Sequence, residues 1–238
     1  MTLSREMRIV LTPDWFLRGD VSIELFSFIV LLAFFILSMR SYRINKNKNT
    51  KTLGKAFLLI AVAELANILT KLVLFYDTTF TRTIGDMAIT YHIVKSVDIF
   101  YSAGFFFYKL LTLMGLYTIY KISQKNKAMP NFALVFYFLI ISAFASNFFY
   151  FIFHITSLIF LILIIQNYSK IYEKTKLINT KILITAFGFI ALAQLIFVLS
   201  KMGTFYVIAE FIELIGYMIL LALIIRILKN GGKKAKSK

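Results

Sequence analysis

Seven apolar runs, six of them roughly 20 residues long and the fourth shorter, limit what this chain can fold into. A helix of that length crosses the hydrocarbon core of a bilayer, which is about 30 Å thick. Lipid offers backbone N–H and C=O groups no hydrogen-bond partner, so each run must satisfy its own groups as a helix. Composition agrees, because 60% of the 238 residues are hydrophobic, against about half in an average soluble domain.

The sequence therefore predicts an all-α integral membrane protein, a seven-transmembrane helix bundle with its N-terminus outside and its C-terminus in the cytoplasm. Only Ser146 and Asn147 separate the fourth and fifth spans. These spans form either a tight hairpin or one long kinked helix, and the hairpin is favoured because 131–168 is too long for one crossing. The predicted spans are 21–39, 56–76, 99–120, 132–145, 148–168, 182–200 and 205–228.

The distribution of basic residues predicts the orientation. Of the 27 Lys and Arg residues, 19 lie in the loops after spans one, three and five and around the end of span seven, and 6 lie on the other side. Loops rich in Lys and Arg stay in the cytoplasm. The bias has the same sense at nearly every turn, which favours seven spans over six.

Three regions follow from these spans: an extracytoplasmic N-terminal segment (1–20), a transmembrane domain (21–228) and a basic cytoplasmic tail (229–238). The N-terminal segment is predicted to form an interfacial helix near Trp15. The tail is expected to be flexible and drawn to anionic lipids of the inner leaflet. The net charge of +16 thus indicates a multi-pass protein of the cell membrane rather than a nucleic-acid partner. The outer loop 77–95 is expected to be either a lid or an unstructured connection.

The chain has no cysteine and two histidines, His92 and His154. Disulfides, thiolate catalysis and cysteine-bound metal centres are therefore excluded, and a histidine-rich metal site cannot form. No phosphate-binding glycine loop, zinc-protease motif or serine-hydrolase motif occurs. The sequence predicts no cofactor and no metal, and an enzyme is less favoured than a binding or transport role.

Polar side chains inside the predicted spans are the best functional pointers, because such groups are costly in lipid. In span two, Glu64, Asn67 and Lys71 follow helical spacing and share one face. In span seven, Glu210 and Glu213 do the same. With the predicted topology, these groups gather in the outer half of the bundle. The candidate cavity residues are Glu64, Asn67, Lys71, Asp98, Ser102, Lys109, His154, Gln194, Glu210 and Glu213.

These residues predict a polar cavity that is open to the outside and closed toward the cytoplasm by apolar packing. Two neighbouring carboxyls cannot both ionise cheaply in a low dielectric, so the cavity could hold a proton or a cation. The alternative is a structural role, in which the polar groups only join helix to helix. The expected ion pairs join Lys71 or Lys109 to one of Glu64, Glu210 and Glu213.

The function favoured by the sequence is a non-enzymatic sensor, receptor or regulatory subunit that acts with a membrane or cytoplasmic partner protein. The second choice is a transporter of a small solute, a proton or a cation. Unbroken spans and the lack of an evident repeat between the halves count against a transporter. A retinal pigment is not expected, because 205–228 contains no lysine to form a Schiff base.

Overall fold

The computed structural model describes the backbone of most of the chain and the side chains of a smaller part. Asp98 and the predicted interfacial helix of the N-terminal segment lie outside the described side chains. The backbone is described at 13, 15–84, 87–124, 132–146, 149–199 and 203–236. Side chains are described at 13, 15–16, 18–73, 102–124, 134–146, 149–199 and 203–229.

The described part of the chain consists of seven helices and contains no strand. Six of them are long and apolar enough to cross a membrane, which confirms a helical, polytopic membrane protein. The helix α4 has only 14 residues, or about 21 Å at the usual rise per residue. The helices are α1 (Leu17–Asn45), α2 (Lys48–Ile84), α3 (Met87–Ser123), α4 (Phe132–Ala145), α5 (Phe151–Thr175), α6 (Ile178–Leu199) and α7 (Gly203–Lys236).

The helices extend further than the predicted spans. The outer loop predicted at 77–95 is wrong, because α2 continues to Ile84 and α3 begins at Met87. The tail predicted to be flexible is also helical, since α7 runs to Lys236. Apolar runs mark only the part of a helix that suits lipid, and hydropathy sets no limit on how far the helix continues beyond that part.

The alternative of one long kinked helix over the fourth and fifth predicted spans is wrong, although α4 is shorter than the helices that could cross a membrane. The two helices α4 and α5 are separate, and the hydroxyls of Ser142 and Thr156 lie 2.9 Å apart across them.

Two helices end in the same unusual way. Lys46, after α1, has a φ of 51° and its N–H donates to the carbonyl of Tyr42. Lys176, after α5, has a φ of 50° and its N–H donates to the carbonyl of Tyr172. Left-handed conformations are uncommon outside glycine, and among the described non-glycine residues they occur only at these two positions. The two helix ends lie 130 residues apart.

This shared helix end belongs to an internal repeat. Aligned without a gap, 42–76 and 172–206 are identical at 16 of 35 positions. The segment 49–51 recurs at 179–181, and 60–61 recurs at 190–191. The expectation of no repeat between the halves is therefore wrong. The repeat is not evident as two equal halves of the chain, because α4 lies between the two repeated segments and belongs to neither. The apolar composition that all the helices share also hides the match.

The two repeats, α1–α3 and α5–α7, close into a ring of six helices. Around the ring, α1 packs on α2, α2 on α3, α3 on α5, α5 on α6, α6 on α7, and α7 returns to α1. Exchanging the repeats maps every one of these contacts onto another, so the ring has an approximate two-fold axis. The remaining helix, α4, lies outside the ring against α3 and α5.

The contacts fix the direction of each repeat. Tyr206, at the start of α7, contacts Asp20 near the start of α1. Tyr206 also packs on Phe197 near the end of α6, and Tyr150 before α5 donates to the carbonyl of Phe197. The helices α1, α5 and α7 therefore begin at one face of the ring, which we call the entry face. The two repeats run parallel, and their two-fold axis lies along the helices.

The helix α4 returns the chain to the entry face. The end of α3 lies at the opposite face, where Ser123 accepts a hydrogen bond from Asn167 late in α5. The next ring helix, α5, begins at the entry face. Lys109, in the middle of α3, donates to the carbonyl of Ser146, just after α4. The direction of α5 thus requires an additional pass between the repeats.

Candidate functional site

A buried ion-pair cluster joins α1, α2 and α7 near the entry face. The Nζ of Lys71 donates to Asp20 at 2.6 Å and also to Glu24. Asn67 donates to the same Glu24 oxygen at 2.6 Å. The hydroxyl of Tyr206 lies 3.3 Å from Lys71 and 3.3 Å from each carboxylate oxygen of Asp20. Because a single buried charge is very costly, the two carboxylates and the amine stabilise one another.

This cluster changes the expected ion pairs. Lys71 pairs with Asp20 and Glu24 of α1, so the prediction that it pairs with Glu64, Glu210 or Glu213 is wrong. Spacing along α2 places Lys71 on the inner face but does not decide which neighbouring helix presents an acid to it. Lys109 donates to the carbonyl of Ser146 at 3.0 Å. It therefore ties the end of α4 to α3.

A cavity of about 40 Å³ lies at the centre of the ring, with walls from all six ring helices. Its apolar lining includes Leu31 and Leu161, which the repeat makes equivalent. This apolar part lies toward the face opposite the entry face. The polar lining lies toward the entry face and comprises Glu64, Tyr108, Thr112, Ser157, Gln194, Glu213 and Tyr217.

A hydrogen-bond chain reaches the cavity from α5. The Nδ1 of His154 lies 2.8 Å from the Oε1 of Gln194. The amide nitrogen of Gln194 donates to Glu213 at 3.5 Å. The imidazole stacks on Phe197 with ring centroids 4.9 Å apart. The chain holds the Glu213 carboxyl at the cavity wall and links three helices of the second repeat.

Buried carboxyls outnumber buried amines in this region. Asp20, Glu24, Glu64 and Glu210 are all buried, and Glu213 lines the cavity. Lys71 neutralises only the first two. Among the described residues, no Lys, Arg or His side chain forms an ion pair with the other three carboxyls. Each of these must hold a proton or face a cation, because an unpaired carboxylate is strongly disfavoured in an apolar interior.

Five buried oxygen atoms have no hydrogen-bond partner within the described residues. Three of them lie in the hydroxyls of Thr112, Tyr117 and Ser157, and the others are one oxygen each of Glu24 and Asn67. Thr112 and Ser157 both line the cavity. Buried polar atoms normally find a partner, so these two hydroxyls indicate that the cavity binds something that offers one.

The repeat places different chemistry at equivalent positions. A separation of 130 residues makes Glu24 the counterpart of His154, and Glu64 the counterpart of Gln194. Glu24 and His154 each form a hydrogen bond between the first two helices of their own repeat. Glu64 and Gln194 both line the cavity. At these two positions the first repeat carries acids, and the second carries a histidine and an amide.

The structure brings most of the predicted residues into two adjoining clusters. Asn67 and Lys71 belong to the ion-pair cluster, while Glu64, Gln194 and Glu213 line the cavity. Glu210 is buried between these two groups on α7. Ser102 is exposed near the start of the described part of α3, and the side chain of Asp98 is not described.

Sequence reasoning missed Asp20 and Glu24. Asp20 falls in the predicted outer segment, because the first predicted span begins at Val21, whereas α1 begins at Leu17. Glu24 lies inside the first predicted span, and the four-residue spacing to Asp20 places both acids on one helical face. The repeat would have revealed Glu24 as the counterpart of His154.

The donor set of the site consists mainly of oxygen atoms. Within the described part of the chain, no three His, Asp or Glu side chains come together in a way that could hold a metal ion. Comparison with family models, with curated proteins and with solved structures finds no match for this chain.

Proposed function

We propose that this chain is a small secondary transporter whose transport site is the central cavity between its two parallel repeats. The observation that carries the proposal is the position of the cavity on the approximate two-fold axis, with equivalent residues of both repeats in its wall. Secondary transporters built from repeats bind substrates and coupling ions at the repeat interface, near the bilayer midplane. The unmatched carboxyls Glu64 and Glu213 suit a proton or a cation as the transported or coupled species.

Two observations favour transport over a receptor for an organic ligand. The internal repeat favours a transporter, because the lack of an evident repeat was one of the two arguments against it. The cavity of about 40 Å³ is far smaller than the pockets of about 300–1,000 Å³ that hold small organic ligands. One water needs about 10–15 Å³, so a small ion with little hydration fits.

In this proposal the protein crosses the cell membrane seven times, with α4 as the fourth crossing. The entry face, at which α1 begins, is external, and the basic end of α7 is cytoplasmic, where it meets anionic lipid. Reporter fusions test this topology. A reporter active only outside should work when fused before Met1, and a reporter active only in the cytoplasm should work after Lys238. Activity of one reporter at both ends would contradict seven crossings.

Flux through proteoliposomes tests the function. Purified protein should carry protons or monovalent cations across the vesicle membrane, measured with a trapped pH-sensitive dye and with a radioactive sodium tracer. Glu64→Gln and Glu213→Gln should abolish the flux, because each removes a charge from the cavity wall. Glu173→Gln is the matched control, since Glu173 is exposed on α5 far from the cavity.

Absence of flux from folded protein under every ion gradient would contradict transport. A sensor or regulatory subunit, the first choice on the sequence alone, predicts instead a fixed partner protein that co-purifies without any flux.

A further inference from the structure

We infer that the central cavity is a binding site for one monovalent metal cation of the sodium type, held by oxygen atoms of Glu64, Thr112, Ser157 and Glu213. The inference deepens the proposed function, on which the coupling role of the ion rests. The site itself is argued from the cavity alone.

The two hydroxyls give the first argument. Ser157 is 1% exposed, and its oxygen has no hydrogen-bond partner within the described residues. The hydroxyl oxygen of Thr112, on the neighbouring helix α3, also lines the cavity and has no hydrogen-bond partner within the described residues. An unpaired buried hydroxyl costs free energy. A cation accepts lone pairs from both hydroxyl oxygens at once, so a single bound ion would give each of them a partner.

Charge gives the second argument. Glu64 and Glu213 line the cavity from α2 and α7, and neither forms an ion pair within the described residues. The buried amine of Lys71 is held by Asp20 and Glu24. A cation between the two carboxyls supplies the positive charge that the cavity wall lacks.

Ligand chemistry decides the class of cation. Carboxyl and hydroxyl oxygens are hard ligands that select alkali and alkaline-earth ions over transition metals. Calcium takes six to eight oxygens, with several carboxylates among them. No group of three acidic or histidine side chains that could hold a metal ion occurs in the described part of the chain. Glu213 also shares its charge with the amide of Gln194. These observations favour a single positive charge.

The size of the cavity agrees with this class. The volume of about 40 Å³ admits an ion with one or two waters, given about 10–15 Å³ for each water. It leaves no room for a fully hydrated ion. Protein oxygens must therefore replace most of the hydration shell, and the four ligands come from α2, α3, α5 and α7, which belong to both repeats.

Equilibrium binding to the 238-residue chain tests the site. Purified protein in detergent at constant ionic strength is titrated with sodium chloride against choline chloride, and both tracer binding and the thermal midpoint are measured. Sodium should bind at one site per chain and raise the midpoint. Glu213→Gln and Ser157→Ala should weaken sodium binding by about tenfold or more, because the first removes a negative charge beside the ion and the second removes an oxygen ligand. Glu173→Gln should bind sodium like the wild type.

Ser157→Ala removes one hydroxyl and fits the same space, so it keeps the test valid if the glutamate variants fail to fold. Equal midpoints in sodium and choline, with no tracer bound, would overturn the cation site. Saturable calcium binding at lower concentration than sodium would overturn the monovalent class. Proton-driven flux without sodium binding would overturn the site and leave transport standing. Sodium binding without any flux would support the cation site and overturn the proposed transport function.

Discussion

Gly115 of α3 and Gly216 of α7 make the same contact in the two repeats. A Cβ atom on Gly115 would lie against the side chain of Ile60, and one on Gly216 would lie 2.7 Å from the side chain of Ile190. Each glycine also faces the backbone carbonyl four residues before that isoleucine, at 3.0 Å and 3.2 Å respectively. Ile60 and Ile190 are equivalent in the repeat. The glycines therefore let the second and third helices of each repeat approach closely, as small residues do between membrane helices.

Replacing either glycine with alanine should destabilise the protein. The added methyl group meets the backbone of the neighbouring helix, and overpacking of this kind costs about 1–3 kcal/mol. Gly115→Ala and Gly216→Ala should each lower the thermal midpoint in detergent, measured by the loss of the monodisperse peak after heating. The control is Gly188→Ala, because nothing lies within 4 Å of a Cβ there. An equal loss in the control would contradict the close approach.

Removing the amine of Lys71 should strongly destabilise the ion-pair cluster. Lys71→Met leaves the carboxyls of Asp20 and Glu24 buried without a positive charge, and breaking a buried pair in this way costs about 3–5 kcal/mol. The measurement is the free energy of unfolding in a denaturant titration. Lys121→Met is the control, because Lys121 is exposed at the end of α3.

A compensating variant separates charge from packing in this cluster. If the cost arises from unpaired charge, adding Asp20→Asn and Glu24→Gln to Lys71→Met should recover part of the lost stability. No recovery would mean that Lys71 stabilises the fold mainly through its packing.

Gln194 connects His154 to Glu213, so replacing it should remove a hydrogen bond from each of these side chains. Gln194→Leu removes one hydrogen bond of 2.8 Å to the imidazole and one of 3.5 Å to the carboxyl. Leaving buried polar groups unpaired costs about 1–3 kcal/mol. Gln166→Leu is the matched control on α5, where Gln166 is exposed. The thermal midpoint should fall in the first variant and stay unchanged in the second.

The labelling rates of single introduced cysteines should show whether the cavity is open to the outside or closed. The natural chain has no cysteine, so each introduced thiol is the only one. Ser102→Cys should react quickly with an impermeant thiol reagent added outside, because Ser102 is exposed. Asn67→Cys and Gln194→Cys should react slowly, because both positions are buried. Fast labelling of all three would indicate the outward-open cavity predicted from the sequence.

Part of the candidate site could be predicted from the sequence. The spacing of Glu64, Asn67 and Lys71 correctly predicts a polar stripe on α2, because helical periodicity is a local property. The partner of Lys71 could not be predicted in this way. Asp20 lies 51 residues away along the chain, and only the packing of α1 against α2 brings its carboxylate to the amine.

The sequence by itself determined that this is a helical membrane protein with its polar groups grouped along particular helices. Those properties depend on the length and hydropathy of single segments, because each segment must be compatible with the bilayer by itself. The tertiary structure decided that α1 closes on α7, that the repeats run parallel, and that Glu64 and Glu213 meet at one cavity. These contacts join residues distant in sequence, and the physical reason is that helix packing, rather than hydropathy, selects the neighbours of each buried charge.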